Sequence, residues 1–135
     1  MNHFENACLL TGRALLGLYF IIPALGKIAD FGDTSAYMAE HNVPLIPVLL
    51  VLTIIIELSA GSALIIGFQA RWAAFTLAGL TLVISLFMHN FWDYPEGMEQ
   101  AHEAQNFFKN MGIIAGLLLV TGLGTGRFSL SQSGE

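Results

Sequence analysis

Apolar positions in this chain fall into four long runs rather than into amphipathic stripes. The runs cover 8–28, 45–68, 72–91 and 107–123. Each lies within the span of about 17–25 mostly apolar residues that a helix needs to cross a bilayer. Open sheets leave edge N–H and C=O groups unsatisfied in lipid, so these runs predict helices. A soluble bundle would need polar outer faces, and 45–68 and 72–91 have almost none. The expected fold is therefore all-α: an integral membrane four-helix up-down bundle over 1–124, with a tail over 125–135.

The breaks between runs fit this reading. Gln69-Ala70-Arg71 is a very short turn that makes the second and third spans antiparallel neighbours, and Gly67 offers a helix stop before it. Pro44 and Pro47 suit a helix start. The stretches 30–44 and 90–106 read as loops, and the Gly- and Ser-containing tail reads as frayed. Residues 1–7 carry no Lys or Arg, and the first apolar run exceeds a signal-peptide core, so it is expected to remain as a span.

Composition narrows the function classes. Of 135 residues 55% are hydrophobic and 11% charged, against about a quarter charged in a soluble domain. Any function must then sit in the bundle, its loops or a partner. A net charge of −5 and five dispersed basic residues exclude a nucleic-acid interface. A single cysteine, Cys8, excludes an internal disulfide and a CxxC redox pair.

Basic residues near span ends set orientation. Arg13, Arg71 and Arg127 lie at the end holding both termini; Lys27 and Lys109 lie at the other. Both termini are expected in the cytoplasm of a bacterial inner membrane, with Asp30, Asp33, Glu40, Asp93, Glu96, Glu99 and Glu103 forming an acidic outer face. Small-residue stripes, Gly112-x-x-x-Gly116, Ser59-x-x-x-Ala63 and Ala74-x-x-x-Ala78, suit close helix packing within the bundle or against a second copy or partner subunit.

Two groups of polar residues carry candidate chemistry. Glu57 lies mid-span among Ile54, Ile55, Ile56 and Leu58, where a carboxylate needs a partner or a proton. Counting ~1.5 Å per residue puts Arg13 roughly 6 Å nearer the terminal end, within reach of an intramembrane ion pair with Glu57. Such a pair either locks the first two spans together or marks a proton-accepting site. Near the opposite end, Lys27, His89, Lys109 and Asn110 meet at similar depth among Phe87, Phe91, Trp92, Tyr94, Phe107 and Phe108. Interfacial aromatics commonly form a membrane belt. The other reading is an apolar slot with a few converging polar groups, suited to a quinone or similar lipophilic molecule. Ligand-binding candidates are thus Lys27, His89, Trp92, Lys109 and Asn110. Glu99-Gln100-Ala101-His102 has an ExxH spacing, but one copy in a loop makes no di-metal site, so no metal is expected. No catalytic residue is assigned.

The runs Gly12 to Phe20 and Gly26-Lys27, then Glu57, Gly61, Leu64, Gly67, Arg71 and Ala73-Ala74, resemble the first spans of the DoxX family. His89-Asn90-Phe91-Trp92, Phe107-Phe108-Lys109-Asn110 and Gly116-Leu117-Leu118 resemble its later ones. Ala115-Gly116 departs from the Gly-Gly pair often found there. The resemblance implies a four-helix inner-membrane protein. It also implies kinship with the DoxD-type subunit of thiosulfate:quinone oxidoreductase and with members linked to thiol and oxidative-stress systems. The expected role is an accessory subunit of a membrane redox system. It would carry no intrinsic cofactor, bind a quinone-like molecule, and work with a membrane partner or as a homo-oligomer. The alternative is a non-catalytic scaffold that stabilises a partner, and a third reading is a small-solute or proton carrier acting through Glu57.

Overall fold

The structure is a computed structural model and describes residues 1–131. Its helices are α1 (His3–Ala29), α2 (Phe31–Glu40), α3 (Ile46–Ile66), α4 (Ala70–Met88) and α5 (Met98–Leu123), with a 3-10 turn at Phe91–Asp93. No strand occurs among the described residues. Four helices are long and apolar enough to cross a membrane: α1, α3, α4 with its following turn, and α5.

Local chemistry sets the ends. A capping box starts α1: the Glu5 N–H donates to Asn2 Oδ1 (2.9 Å) and the Asn2 N–H to Glu5 Oε2 (2.8 Å). This moves the start of α1 to His3, ahead of the apolar run. Pro47 opens α3 in its first turn, and Gly67 closes it at φ 73° with its N–H on Ala63 O. The two stretches read as loops contain helix. Residues 31–40 form α2, and residues 98–106 form the first turns of α5.

Packing runs in the order α1, α3, α4, α5, while α1 and α5 meet only sparsely. The core joins Phe20 of α1, Leu64 of α3, Ala70, Ala73, Ala74, Leu77 and Ala78 of α4, and Leu117 and Val120 of α5. The Ala74/Ala78 stripe is buried here. Gly112 is exposed, and a side chain added there would meet nothing. The tight α1–α3 crossing uses a different pair. A Cβ on Gly17 would lie 2.6 Å from Gly61 O and 2.5 Å from Ile65 Cγ1.

The tail is not frayed through residue 131. Leu130 N–H donates to Ile66 O (3.1 Å), Ser131 N–H to Gly67 O (3.3 Å), and Arg127 N–H to Asn6 Oδ1 (2.8 Å). The first two bonds satisfy carbonyls that the end of α3 leaves open, and the third ties the tail to α1. The rest of the predicted tail, including Ser133 and Gly134, lies outside the described residues.

Candidate functional site

Register between α1 and α3 decides which cation meets Glu57. Gly61 faces α1 between Gly17 and Ile21. Glu57, four residues along α3, is therefore level with about Pro23 of the antiparallel helix. At ~1.5 Å per residue this leaves Arg13 roughly 15 Å away and Lys27 roughly 6 Å. Direction adds to distance, because side chains lean toward the N-terminus of their own helix. Lys27 leans back toward Pro23 and Glu57 leans toward the loop end, so the two converge. Arg13 leans the other way.

The expected Glu57–Arg13 pair is accordingly not formed. Lys27 Nζ lies 2.8 and 2.7 Å from the two oxygens of Glu57, whose side chain is 4% exposed against 24% for Lys27. Arg13, wholly buried, donates to Leu64 O (2.9 Å) and to Phe128 O. It places a cation against the carboxyl end of α3, where the helix dipole favours positive charge, and ties the tail to that end. Arg13 is a structural clamp between α1, α3 and the tail.

The Glu57 pair opens into a cavity of about 270 Å³ near the loop end. Lys27, His89, Lys109 and Asn110 line the same cavity. The two polar groups that look separate along the sequence are therefore one site. Phe20, Pro23, Leu50, Ile84 and Met88 supply apolar wall, and Thr34, Tyr37 and Met38 of α2 close it from the loop side.

Hydrogen bonds fix the polar wall. Tyr19 OH donates to Asn110 Oδ1 (3.1 Å), Asn110 Nδ2 to Ser85 Oγ (3.0 Å), and Ser85 Oγ to Thr81 O (2.7 Å). Thr81 Oγ1 donates to Leu77 O (2.7 Å). His89 Nδ1 lies 2.7 Å from Glu103 Oε2. The Tyr37 OH reaches Glu103 Oε1 at 3.5 Å. Burial, then the charge of Glu103, pushes the Tyr37 phenol up to about 12, so it stays protonated.

Trp92 does not line this cavity. It sits in the 3-10 turn after α4, half exposed, with its ring edge-on to Phe91 and Phe107. With Phe108, which is 63% exposed, these rings form an aromatic cluster outside the cavity. Sequence reasoning also missed Tyr19, Tyr37 and Glu103. Glu103 looks like one of several loop acids, yet it is buried and holds His89. The signal was its spacing: Glu103, Asn106 and Asn110 recur at helical intervals ahead of the last apolar run. Among the described residues no cluster of three or more His, Cys, Asp or Glu side chains could hold a metal ion.

Four apolar spans around a polar cavity near one end define an all-α, multi-pass membrane protein. The chain belongs to the DoxX family, whose signature matches residues 8–90. It is 32% identical to "Inner membrane protein YqjF" of Escherichia coli K12 over 98% of this chain and 95% of that protein. It is 30% identical to "Inner membrane protein YphA" of the same organism, over 92% and 88%. A "Surfeit locus protein 4 homolog" of Schizosaccharomyces pombe is 29% identical over 91% of this chain but only 36% of its own length. No solved structure matches significantly. Kinship with YqjF and YphA, together with the four apolar helices, makes the chain a multi-pass inner-membrane protein. Glu103, Lys109 and Asn110 lie beyond the matched signature, though the YqjF alignment spans nearly the whole chain.

Proposed function

We propose that the chain binds the headgroup of a quinone-like lipophilic molecule and serves as an accessory subunit of a membrane redox system. The observation that carries this reading is a single cavity where the Lys27–Glu57 ion pair, the His89 ring held from behind by Glu103 and the Asn110 amide converge on apolar wall. Ligand pockets are typically apolar clefts of about 300–1,000 Å³ with a few placed polar groups. A volume of about 270 Å³ suits one substituted ring rather than a whole prenyl chain. Lys27 and Lys109 supply cations for oxygens that gain charge on reduction, and His89 offers a ring nitrogen. Electrons would come from a partner protein, because this chain has a single cysteine and no CxxC pair.

The test is a titration of the purified protein in detergent with decylbenzoquinone, followed by intrinsic fluorescence. His89→Ala is expected to weaken binding about tenfold, since it removes a polar contact and the ring that shapes the wall. Saturable binding that His89→Ala leaves unchanged contradicts the reading. The scaffold alternative predicts no quinone binding and a stoichiometric co-purifying protein.

The orientation belongs to the same proposal. Arg13, Arg71 and Arg127 favour cytoplasmic termini, which sets the cavity toward the periplasm. In a Cys8→Ser background, an impermeant maleimide added to intact spheroplasts is expected to label Asp33→Cys and not Ser131→Cys. The reverse pattern overturns the orientation.

A further inference from the structure

The cavity near the loop end has room for a ring, so a long-tailed ligand needs a second place for its tail. Such a place lies along the same two helices. A groove of about 430 Å³ runs between α1 and α5 on the terminal side of the cavity. Tyr19 belongs to both linings. On α1 the groove takes Cys8, Gly12, Leu16 and Tyr19, and the cavity continues with Pro23 and Lys27. On α5 the cavity takes Lys109 and Asn110, and the groove continues with Ile113, Gly116 and Val120. Steps of three and four residues keep each set on one helix face, so groove and cavity follow one seam.

The seam stays open for a packing reason. Small residues let spans approach closely, and Gly12 and Gly116 both line it. Yet the Gly17–Gly61 crossing draws α1 to α3, and α1 meets α5 only sparsely. A Cβ on Gly12 would meet nothing within 4 Å, and one on Gly116 would meet Leu16 at 3.8 Å. The missing side chains therefore leave a slot instead of a contact. Its wall is apolar apart from Tyr19 and Arg13, and Arg13 donates to Leu64 O and Phe128 O.

We infer that this groove holds the linear apolar tail of the molecule whose headgroup occupies the cavity, so that the ligand class is a long-tailed membrane quinone. This rests on the function proposed above. Direction supports it. Lys27 lies in the last turn of α1. At ~1.5 Å per residue, Tyr19 lies about 12 Å deeper and Cys8 about 16 Å beyond it. A ring beside Lys27 with a tail toward Cys8 keeps the ligand oriented as a lipid in its leaflet, head at the interface and tail inward. A tail gains no hydrophobic free energy on leaving lipid, because lipid chains are equally apolar. What the groove adds is close dispersion contact with a wall of fixed shape. Filling the groove should therefore weaken tailed ligands and spare tail-less ones.

The experiment titrates the full-length protein in detergent with decylbenzoquinone and with duroquinone, which has a substituted ring and no tail. Each probe is compared between wild type and variant, so its partition into micelles cancels. Gly116→Phe is expected to weaken decylbenzoquinone about tenfold and leave duroquinone unchanged. Gly12→Phe fills the groove from the α1 side and should do the same. Gly79→Phe, at an exposed position on α4 where a Cβ meets nothing, should alter neither. On the wild type, a benzoquinone whose decyl tail ends in a diazirine is expected to label Leu16, Ile113 or Val120, and excess decylbenzoquinone should suppress the adducts. Unchanged decylbenzoquinone binding in both groove variants overturns the inference, as does tail labelling confined to exposed residues such as Phe75 and Leu119. In either case duroquinone binding leaves the headgroup function standing. A dimer lost in the groove variants would then give the groove to a second copy, and a retained phospholipid lost in them would give it to the bilayer; both outcomes contradict the inference. Failure of both quinones to bind the wild type overturns the function itself, and the inference with it.

Discussion

Gly17→Val is expected to cost about 2–3 kcal/mol of stability and to part α1 from α3. The reason lies in the crossing itself. A Cβ at Gly17 would stand 2.6 Å from Gly61 O, which is backbone, and 2.5 Å from Ile65 Cγ1. A flexible side chain can retreat from such a contact, but a helix backbone retreats only by moving the helix. α1 against α3 is also the most extensive contact in the bundle, so little compensates for the displacement. Without a hydrophobic driving force between helices in lipid, close backbone approach is much of what holds spans together. Thermal unfolding in detergent, read by loss of monodisperse protein, checks this. Gly12→Val serves as the control, because a Cβ there meets nothing. The crossing also sets the depth of Lys27 against Glu57, so Gly17→Val should lose ligand binding along with stability.

Breaking the Lys27–Glu57 pair is the second large effect, and its two halves are expected to differ. Lys27→Met leaves a carboxylate, 4% exposed, without a cation beside it. Removing one member of a buried pair costs about 3–5 kcal/mol, and the group left behind tends to take up a proton instead. Glu57→Leu should cost less, because the lysine is 24% exposed and its long stem can carry the ammonium toward the loop end. Lys27→Met combined with Glu57→Leu should recover much of the lost stability, since an apolar pair of similar volume often matches a buried ion pair. It should not recover quinone binding. A double-mutant cycle on melting temperature, with binding measured on the same four proteins, separates the two roles. Equal costs for the single variants, or a double variant that binds normally, would show that the pair is only a lock between α1 and α3.

The fold was legible because its signals are long. Four apolar runs mark four spans whatever their neighbours do, and Gly67 with Pro47 marks where the α3 segment ends and begins. The polar lining of the cavity was legible by residue type but not by geometry. Lys27, His89, Lys109 and Asn110 stood out as polar groups at one end, and all four line the cavity. The choice of Arg13 for Glu57 failed because apolar run boundaries do not fix helix register. The capping box sets α1 back to His3, and the Gly17–Gly61 crossing slides it against α3. Side-chain lean then favours Lys27. Glu103 was hidden for another reason. Residues 98–106 are too polar to read as part of a span, yet their helical spacing continues α5 and turns Glu103 toward His89. Trp92 falls outside the cavity because the turn at Phe91–Asp93 carries its ring against Phe91 and Phe107, which residue type alone does not specify.

The central claim is that a quinone-like headgroup occupies the cavity between Lys27, Glu57 and His89. A photoreactive azido-benzoquinone added to native membranes, followed by peptide mapping of the adducts, tests it most directly. Adducts are expected on cavity residues such as Met38, Tyr37 and Met88, and excess decylbenzoquinone should suppress them. Labelling confined to lipid-facing residues such as Leu15, Phe75 and Leu119, with no competition, would contradict the claim.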